Sequence, residues 1–249
     1  MFSAFKKLFY RFIPSAHISA YIRLLYLGRF LSRVNFREGL DAGCGTGLFS
    51  FYVAKKFPQA HIHGYDISRY NIQCCNKAKI SKSIANASFR QVDLINLSEK
   101  DSFDFIFSID VLEHISPNIE VLKCFYNGLE PGGMFYLAMP YESGHRYLLP
   151  RKYFKEYIAW AKKEHIGEQY DLDTMVATLR QIGFYIVDAR YTFGFWGKLA
   201  WELDMLTEKK LTLKHILQPL LFIWGYLDVL WKNGPGSYGI RVTAKKQTK

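Results

Sequence analysis

Cysteine is scarce and irregularly placed. The chain of 249 residues holds four (Cys44, Cys74, Cys75, Cys124), with no CxxC pair among them. That excludes a disulfide framework and a zinc finger, and makes a reducing compartment the simplest setting. Long apolar runs are also missing. The longest candidate, His215–Trp231, spans 17 residues and is interrupted by Gln218, Pro219 and Asp228, whereas a membrane-spanning helix needs about 20 mostly apolar residues. No secretory leader is visible, because Lys6, Lys7 and Arg11 break the opening MFSAFKKLFYRF before an apolar segment forms. Charged residues at 22% and hydrophobic ones at 49% exclude disordered and collagen-like classes.

Acid is in deficit, with 22 Asp and Glu against 33 Lys and Arg, a formal charge of +11. Such an excess suits nucleic acid, an anionic membrane surface or plain solubility. Its distribution is uneven. Residues 1–39 carry seven basic and one acidic side chain, residues 40–195 carry 17 of each, and residues 196–249 carry nine and four. The middle is neutral and the two ends hold the whole excess. Aromatic residues, at 17%, are plentiful.

Between Glu38 and Phe195, short β-branched or aromatic runs alternate with helical stretches, the pattern of a parallel sheet covered by helices. Strands are expected at 38–42, 60–65, 87–92, 104–109 and 133–139, then at 184–191 and 237–245. Helices are expected at 46–57, 68–82, 117–129 and 171–182. Pro131-Gly132-Gly133 reads as a turn before the fifth strand, and Gly183 as the end of the last core helix. Residues 1–34 read as two helices split by Pro14, the first with Phe2, Phe5, Phe9, Phe12 and Ile13 on one face. Residues 196–236 form an insertion holding Trp196, Trp201, Trp224 and Trp231. The organisation expected is basic amphipathic helices at 1–37, a core at 38–195, the aromatic insertion at 196–236, and a last strand with basic tail at 237–249.

The strongest local signal is Gly39-Leu40-Asp41-Ala42-Gly43-Cys44-Gly45-Thr46-Gly47, placed where the first strand meets the first core helix. Glycines there permit tight turning and close approach of a ligand to bare backbone, and the helix start offers N–H donors. No Gly-Lys-Ser/Thr follows, so it is not a phosphate-binding P-loop. The third glycine comes one position early for the dinucleotide fingerprint, with Leu48 in its place.

This D-x-G-x-G-x-G loop resembles that of the class I S-adenosylmethionine-dependent methyltransferases. Other segments extend the resemblance: His63-Gly64-Tyr65-Asp66, Gln91-Val92-Asp93-Leu94, Phe103-Asp104-Phe105-Ile106 through Val111-Leu112-Glu113-His114, and Leu129-Glu130-Pro131-Gly132-Gly133. The V-L-E-H segment is similar to that of quinone-biosynthesis-like O-methyltransferases. The resemblance covers roughly residues 38–140. It implies a Rossmann-like α/β fold with a seven-stranded, mostly parallel sheet. It implies S-adenosylmethionine as cofactor, with S-adenosylhomocysteine as product. Asp41, Gly43, Cys44, Gly45 and Gly47 would hold the methionine end, Asp66 with Ile67 the ribose, and Asp93 with Leu94 the adenine, with Ile109 and Asp110 beneath. A carboxylate facing two hydroxyls is sound chemistry, since each hydroxyl donates to an ionised acceptor.

Plainer readings stand beside these. Asp41 can cap a helix, Asp66 can serve as an N-cap and Asp93 as loop chemistry. Cys44 reads as a small filler, and Cys74 and Cys75 as structural. Asp110, Glu113 and His114 are spaced so that one helical turn would gather them. Some relatives bind a divalent metal through carboxylate-x-x-Glu-His, and magnesium, manganese or zinc would suit such a set. A base or substrate-positioning role for His114, backed by Glu113, is favoured over metal, with a structural helix start as the third alternative. His145, on the rim after the fifth strand, is a second base candidate or an exposed loop histidine.

The insertion reads either as a helical lid over a hydrophobic substrate pocket, as an interfacial element, as both, or as a buried subdomain. Lys209, Lys210, Lys214 and Lys232 flank it and favour contact with anionic lipid. The expected function is methyl transfer to a small hydrophobic or lipid-like acceptor, at oxygen, in the cytoplasm at the inner face of a membrane. A tRNA or rRNA methyltransferase is the alternative, disfavoured because Ser108-Ile109-Asp110-Val111 stands where amino-directed nucleic-acid enzymes carry an Asn/Asp-Pro-Pro-aromatic motif. A scaffold or cofactor sensor is the non-enzymatic alternative.

Overall fold

The computed structural model describes residues 17–141, 147–208 and 210–248. The expected first helix and His145 lie outside them, as does Lys209. In chain order the elements are α1 (Ile18–Leu31), β1 (Glu38–Ala42), α2 (Leu48–Lys56), β2 (His61–Asp66), α3 (Arg69–Ser81), β3 (Ala87–Gln91) and β4 (Phe103–Ile109). Then follow α4 (Asn118–Gly128), β5 (Leu129–Pro140), α5 (Lys155–Glu164), α6 (Leu172–Ile182), β6 (Phe184–Thr192), α7 (Phe195–Thr207), α8 (Leu211–Leu230) and β7 (Gly239–Lys246).

The chain divides into two compact units. One comprises residues 35–140, 161–190 and 240–249 and contains the sheet, ordered β3-β2-β1-β4-β5-β7-β6. The β3-β2, β2-β1, β1-β4 and β4-β5 pairings are parallel. Strands β1, β2 and β3 run outward in one direction and β4 and β5 in the other, with β7 set between β5 and the edge strand β6. The β1–β4 boundary is therefore the switch point of the sheet, beside which open α/β sheets bind ligands at the strands' carboxyl ends. Strand β4 is apolar almost throughout, with Phe103, Phe105, Ile106, Phe107 and Ile109 buried, as a strand covered on both faces requires. Its one charged residue, Asp104, accepts hydrogen bonds from the Arg37 and Glu38 amides (2.8 and 2.9 Å) and so fixes where β1 begins.

Two expectations need correction here. Pro131-Gly132-Gly133 does not precede the fifth strand, because β5 runs through it. Phe103 pairs with Leu129 and Phe105 with Met134, so the extra residues form a bulge with Gly132 at φ +84°, and pairing resumes beyond it. Helix α5 was not anticipated, since its sequence KEYIAWAKKE leaves only Ala161 buried and lacks a clear apolar stripe. Caps fall as the local chemistry demands: Ser68 opens α3, Asp171 opens α6, and Gly183 closes it at φ +116°.

The other unit comprises residues 1–34, 141–160 and 191–239, joining α1, α7 and α8 to the segment after β5. Ile22, Tyr26, Phe193, Trp201, Leu221 and Phe222 are buried together in its core. Asp228, which interrupts the apolar run of the sequence, is fully buried. Its carboxylate accepts from the Phe193, Gly194 and Gly197 amides at 3.0, 2.8 and 3.0 Å and from the Tyr26 hydroxyl at 2.9 Å. An anion at the start of α7 meets that helix's unsatisfied amides and its positive dipole end.

Lys214, expected at the surface, instead pairs with Asp204 at 3.0 Å, both largely buried, since an ammonium among apolar helices needs a counter-charge. Of the insertion's tryptophans, Trp201 is buried, whereas Trp231 is 64% exposed. Among the described residues no helix is long and apolar enough to cross a membrane.

Candidate active site

Every element of the site belongs to the sheet-containing unit. At the end of β1 the chain turns so sharply that the Gly43 and Cys44 amides both donate to the Tyr65 carbonyl, at 2.8 and 2.9 Å. Gly43, Gly45 and Gly47 all have positive φ, which side-chain-bearing residues adopt only under strain. A Cβ on Gly43 would lie 2.4 Å from Val111 Cγ2, whereas one on Gly45 would meet nothing within 4 Å. The loop thus packs on one side against the turn after β4 and shows open backbone on the other. Gly47 caps α2 without any side-chain hydrogen bond, so first-turn amides remain available to an anionic group.

Three carboxylates mark the carboxyl ends of β1, β2 and β3: Asp41 within β1, Asp66 as the last residue of β2, and Asp93 two residues beyond β3. Asp41 is buried and accepts a 2.6 Å hydrogen bond from the Ser50 hydroxyl. Burial pushes its carboxyl up to about 7, with the nearby Asp66 charge adding to the shift. Asp66 accepts from the Gly45 amide at 2.8 Å through one oxygen, and from the Ser68 amide (2.8 Å) and Asn71 Nδ2 (3.2 Å) through the other. A carboxylate offers about four lone-pair sites, so this bracing leaves it able to accept from a hydroxyl. Asp93 is exposed and caps its own turn through the Ile95 amide at 3.2 Å. Ile67 is 66% exposed beside Asp66, while Leu94 and Ile109 are buried.

Cys44 is buried beneath the loop in contact with the Cys75 thiol, and that contact together with burial holds its own thiol far above the usual range. That shift disfavours the reactive thiolate. Asp110 directly follows β4 with φ +54° and donates its amide to the Ala138 carbonyl at 2.9 Å.

After β4, Leu112–His114 form a single 3-10 turn. The grouping expected there is altered: ligand atoms of Glu113, His114 and His165 all lie within 4.8 Å of one another, and Asp110 is not part of the set. His165 follows α5, and nothing in the spacing links positions 51 residues apart. The sole sequence hint is that Glu164-His165 repeats Glu113-His114. Asn118 holds the two segments together, donating from Nδ2 to the Leu112 and Glu168 carbonyls at 3.3 and 3.1 Å.

An open glycine loop, an uncapped helix start and carboxylates after three successive strands suit S-adenosylmethionine, a cofactor with an ammonium, a carboxylate and a ribose diol. A family model described as a methyltransferase domain matches residues 38–183. Phosphoethanolamine N-methyltransferase 1 of Arabidopsis thaliana is 31% identical over 186 residues, covering 73% of this chain and 36% of that protein. Malonyl-[acyl-carrier protein] O-methyltransferase 1 of Ilyobacter polytropus is 33% identical over 94 residues, 38% of this chain and 34% of that protein. The chain thus spans about a third of the length of these curated relatives. The structure of phosphoethanolamine N-methyltransferase 2 of Haemonchus contortus in complex with S-adenosyl-L-methionine aligns at TM-score 0.66 and 20% identity, over 91% of this chain and 52% of that one. The chain belongs to the class I S-adenosylmethionine-dependent methyltransferases.

Proposed function

We propose that the protein transfers a methyl group from S-adenosylmethionine to an oxygen of a small hydrophobic or lipid-like acceptor, working as a peripheral protein on an anionic membrane at its cytoplasmic face. The acceptor oxygen attacks the sulfonium methyl in line, the carbon–sulfur bond breaks, S-adenosylhomocysteine leaves, and the acceptor proton passes to a base. Because the sulfonium is already activated, the protein's task is to position, desolvate and deprotonate. Asp41, Asp66 and Asp93 hold the cofactor in this reading, and the His114 imidazole, exposed on the turn after β4, is the base.

The observation that carries the acceptor class is the outer face of α8. Leu213, Ile216, Leu220, Ile223, Tyr226 and Leu230 are 40–63% exposed and follow helical spacing along one side. Trp231 and Lys232 are exposed where that helix ends, and Arg29 donates to the Val229 carbonyl there at 2.8 Å. Apolar residues edged by tryptophan and basic groups suit a lipid interface.

Oxygen is favoured because a hydroxyl, unlike an amine at alkaline pH, needs a base, and an imidazole stands on the rim. Transfer to nitrogen is the second reading, favoured by the 31% identity to a phosphoethanolamine N-methyltransferase. Incubating the protein with methyl-labelled S-adenosylmethionine and fractionated lipid extracts, then fragmenting the products by mass spectrometry, tests both. Label on oxygen supports the first reading and label on nitrogen the second. Label confined to water-soluble products overturns the lipid-like acceptor.

A further inference from the structure

We infer that Glu113, His114 and His165 form a binding site for one divalent transition-metal ion of the zinc, cobalt or iron(II) class. Their ligand atoms lie within 4.8 Å of one another. Ligands about 2.0–2.2 Å from a common ion sit roughly 3–4 Å apart, so shifts of about 1 Å complete the coordination.

The two histidines approach edge to face, with ring centroids 4.9 Å apart. His114 Nδ1 is 3.0 Å from the Glu164 carbonyl. A carbonyl only accepts, so the proton sits on Nδ1 and the lone pair on Nε2, the arrangement that metal-binding histidines use to fix their tautomer. Glu113 is buried at 1% exposure, so its carboxylate is held out of bulk water within ligand distance of the two imidazoles.

The backbone is built to keep these groups together. The Gly167 amide donates to the Glu113 carbonyl at 2.9 Å, and Asn118 ties Leu112 to Glu168. A Cβ on Gly167 would lie 2.3 Å from the Leu112 carbonyl oxygen and 2.6 Å from that of Ile115. The close approach that brings His165 to Glu113 therefore requires glycine at that point. Two imidazoles and one carboxylate select borderline transition ions over magnesium, which prefers oxygen. His114 is exposed and His165 half-buried, so water or an acceptor oxygen can fill the remaining positions. With Nε2 on the ion His114 cannot also be the base, so if the proposed methyl transfer holds, the ion would replace it in activating the acceptor oxygen by polarising it.

The test is titration of the chelator-stripped full chain with Co²⁺, followed by visible absorption and calorimetry. One ion per chain with the intense d–d bands of a four- or five-coordinate site is expected. His165→Gln and Glu113→Gln should each weaken binding by tenfold or more and abolish those bands, and Asp110→Asn should leave both unchanged. S-adenosylhomocysteine binding by His165→Gln at the wild-type level verifies that this variant is folded. No saturable Co²⁺ binding, or unchanged binding by folded His165→Gln, overturns the site. The readout is metal binding, so failure to methylate lipid leaves it standing, and failure to bind Co²⁺ leaves the methyl-transfer reading standing.

Discussion

Ser50 donates a 2.6 Å hydrogen bond to the buried carboxylate of Asp41, bridging the end of β1 and the first turn of α2 beneath the glycine loop. That bond does not offset the cost of burying the charge, and the Asp41 carboxyl is pushed up to about 7. A carboxyl with a raised folded-state pKa contributes stability that is present below its unfolded value and lost as pH rises through the folded one. The relevant window runs from the ordinary 3.8 to about 7. Stability of the cofactor-free protein should therefore fall between pH 4 and 7 by up to about 4 kcal/mol from this group. Asp41→Asn should flatten that slope and be the more stable form at pH 8, as urea unfolding at pH 5 and pH 8 would show. An Asn variant that keeps the wild-type slope would exclude Asp41 as its source.

The same carboxylate links pH to cofactor binding. If the ionised form receives the cofactor's ammonium, affinity for S-adenosylhomocysteine should drop up to tenfold per pH unit below about 7. Calorimetry from pH 5.5 to 8.5 would report it. In Asp41→Asn affinity should be low at every pH, with the dependence gone.

Asp66 braces the loop and, in the proposed function, also receives the ligand. Its bond to the Gly45 amide fixes the loop crest, and with Ser68 and Asn71 also donating to it, about one of its four lone-pair sites is left for a ligand hydroxyl. Asp66→Ala should weaken S-adenosylhomocysteine binding by roughly 2–4 kcal/mol, on the scale of lost charged hydrogen bonds. Asp93→Ala should cost less, because that carboxylate is exposed and already caps its own turn. Equal losses in the two variants would refute this ranking.

The loop and carboxylates proposed to hold the cofactor were legible because they are local. Asp41 through Gly47 is one continuous stretch, Asp66 is the last residue of β2, and Asp93 lies two positions beyond β3. The rest depends on distant contacts. His165 meets Glu113 only because Gly167 has no side chain and Asn118 spans both segments, neither of which shows as a pattern. Asp228 read as a break in an apolar run, since its partners, the amides that open α7, lie more than 30 residues away. Lys214 looked like a surface charge for the same reason, its counter-ion Asp204 lying on another helix.

That buried aspartate makes a stability prediction. Asp228→Ala would strand three backbone donors away from water, while the Tyr26 hydroxyl keeps the residue-228 carbonyl at 3.0 Å, at a cost of roughly 3–5 kcal/mol. Tyr26→Phe removes one donor and should cost about 1 kcal/mol. Asn at position 228 should fall between them, because an amide offers one acceptor oxygen where the carboxylate offers two. Chemical denaturation of the three variants gives the order directly. A Tyr26→Phe loss as large as that of Asp228→Ala would make the hydroxyl, not the helix-start amides, the main partner.

The outer face of α8 separates stability from location. Ile216 and Ile223 are 63% and 56% exposed, and surface substitutions of this kind usually change stability by less than about 0.5 kcal/mol. Each would gain about 1.5–3 kcal/mol if fully buried in lipid. The double change Ile216→Asp and Ile223→Asp should therefore leave the melting temperature nearly unchanged while lowering affinity for anionic vesicles a hundredfold or more. Lys210→Glu with Lys232→Glu should weaken binding less, by about 1 kcal/mol for each cation lost from an anionic surface, and its effect should fade as salt rises. Flotation with phosphatidylserine-containing vesicles, beside purely zwitterionic ones, measures both. Should the wild-type chain fail to float with either vesicle and elute as a dimer that Ile223→Asp dissolves, the stripe is a protein interface and the membrane assignment falls.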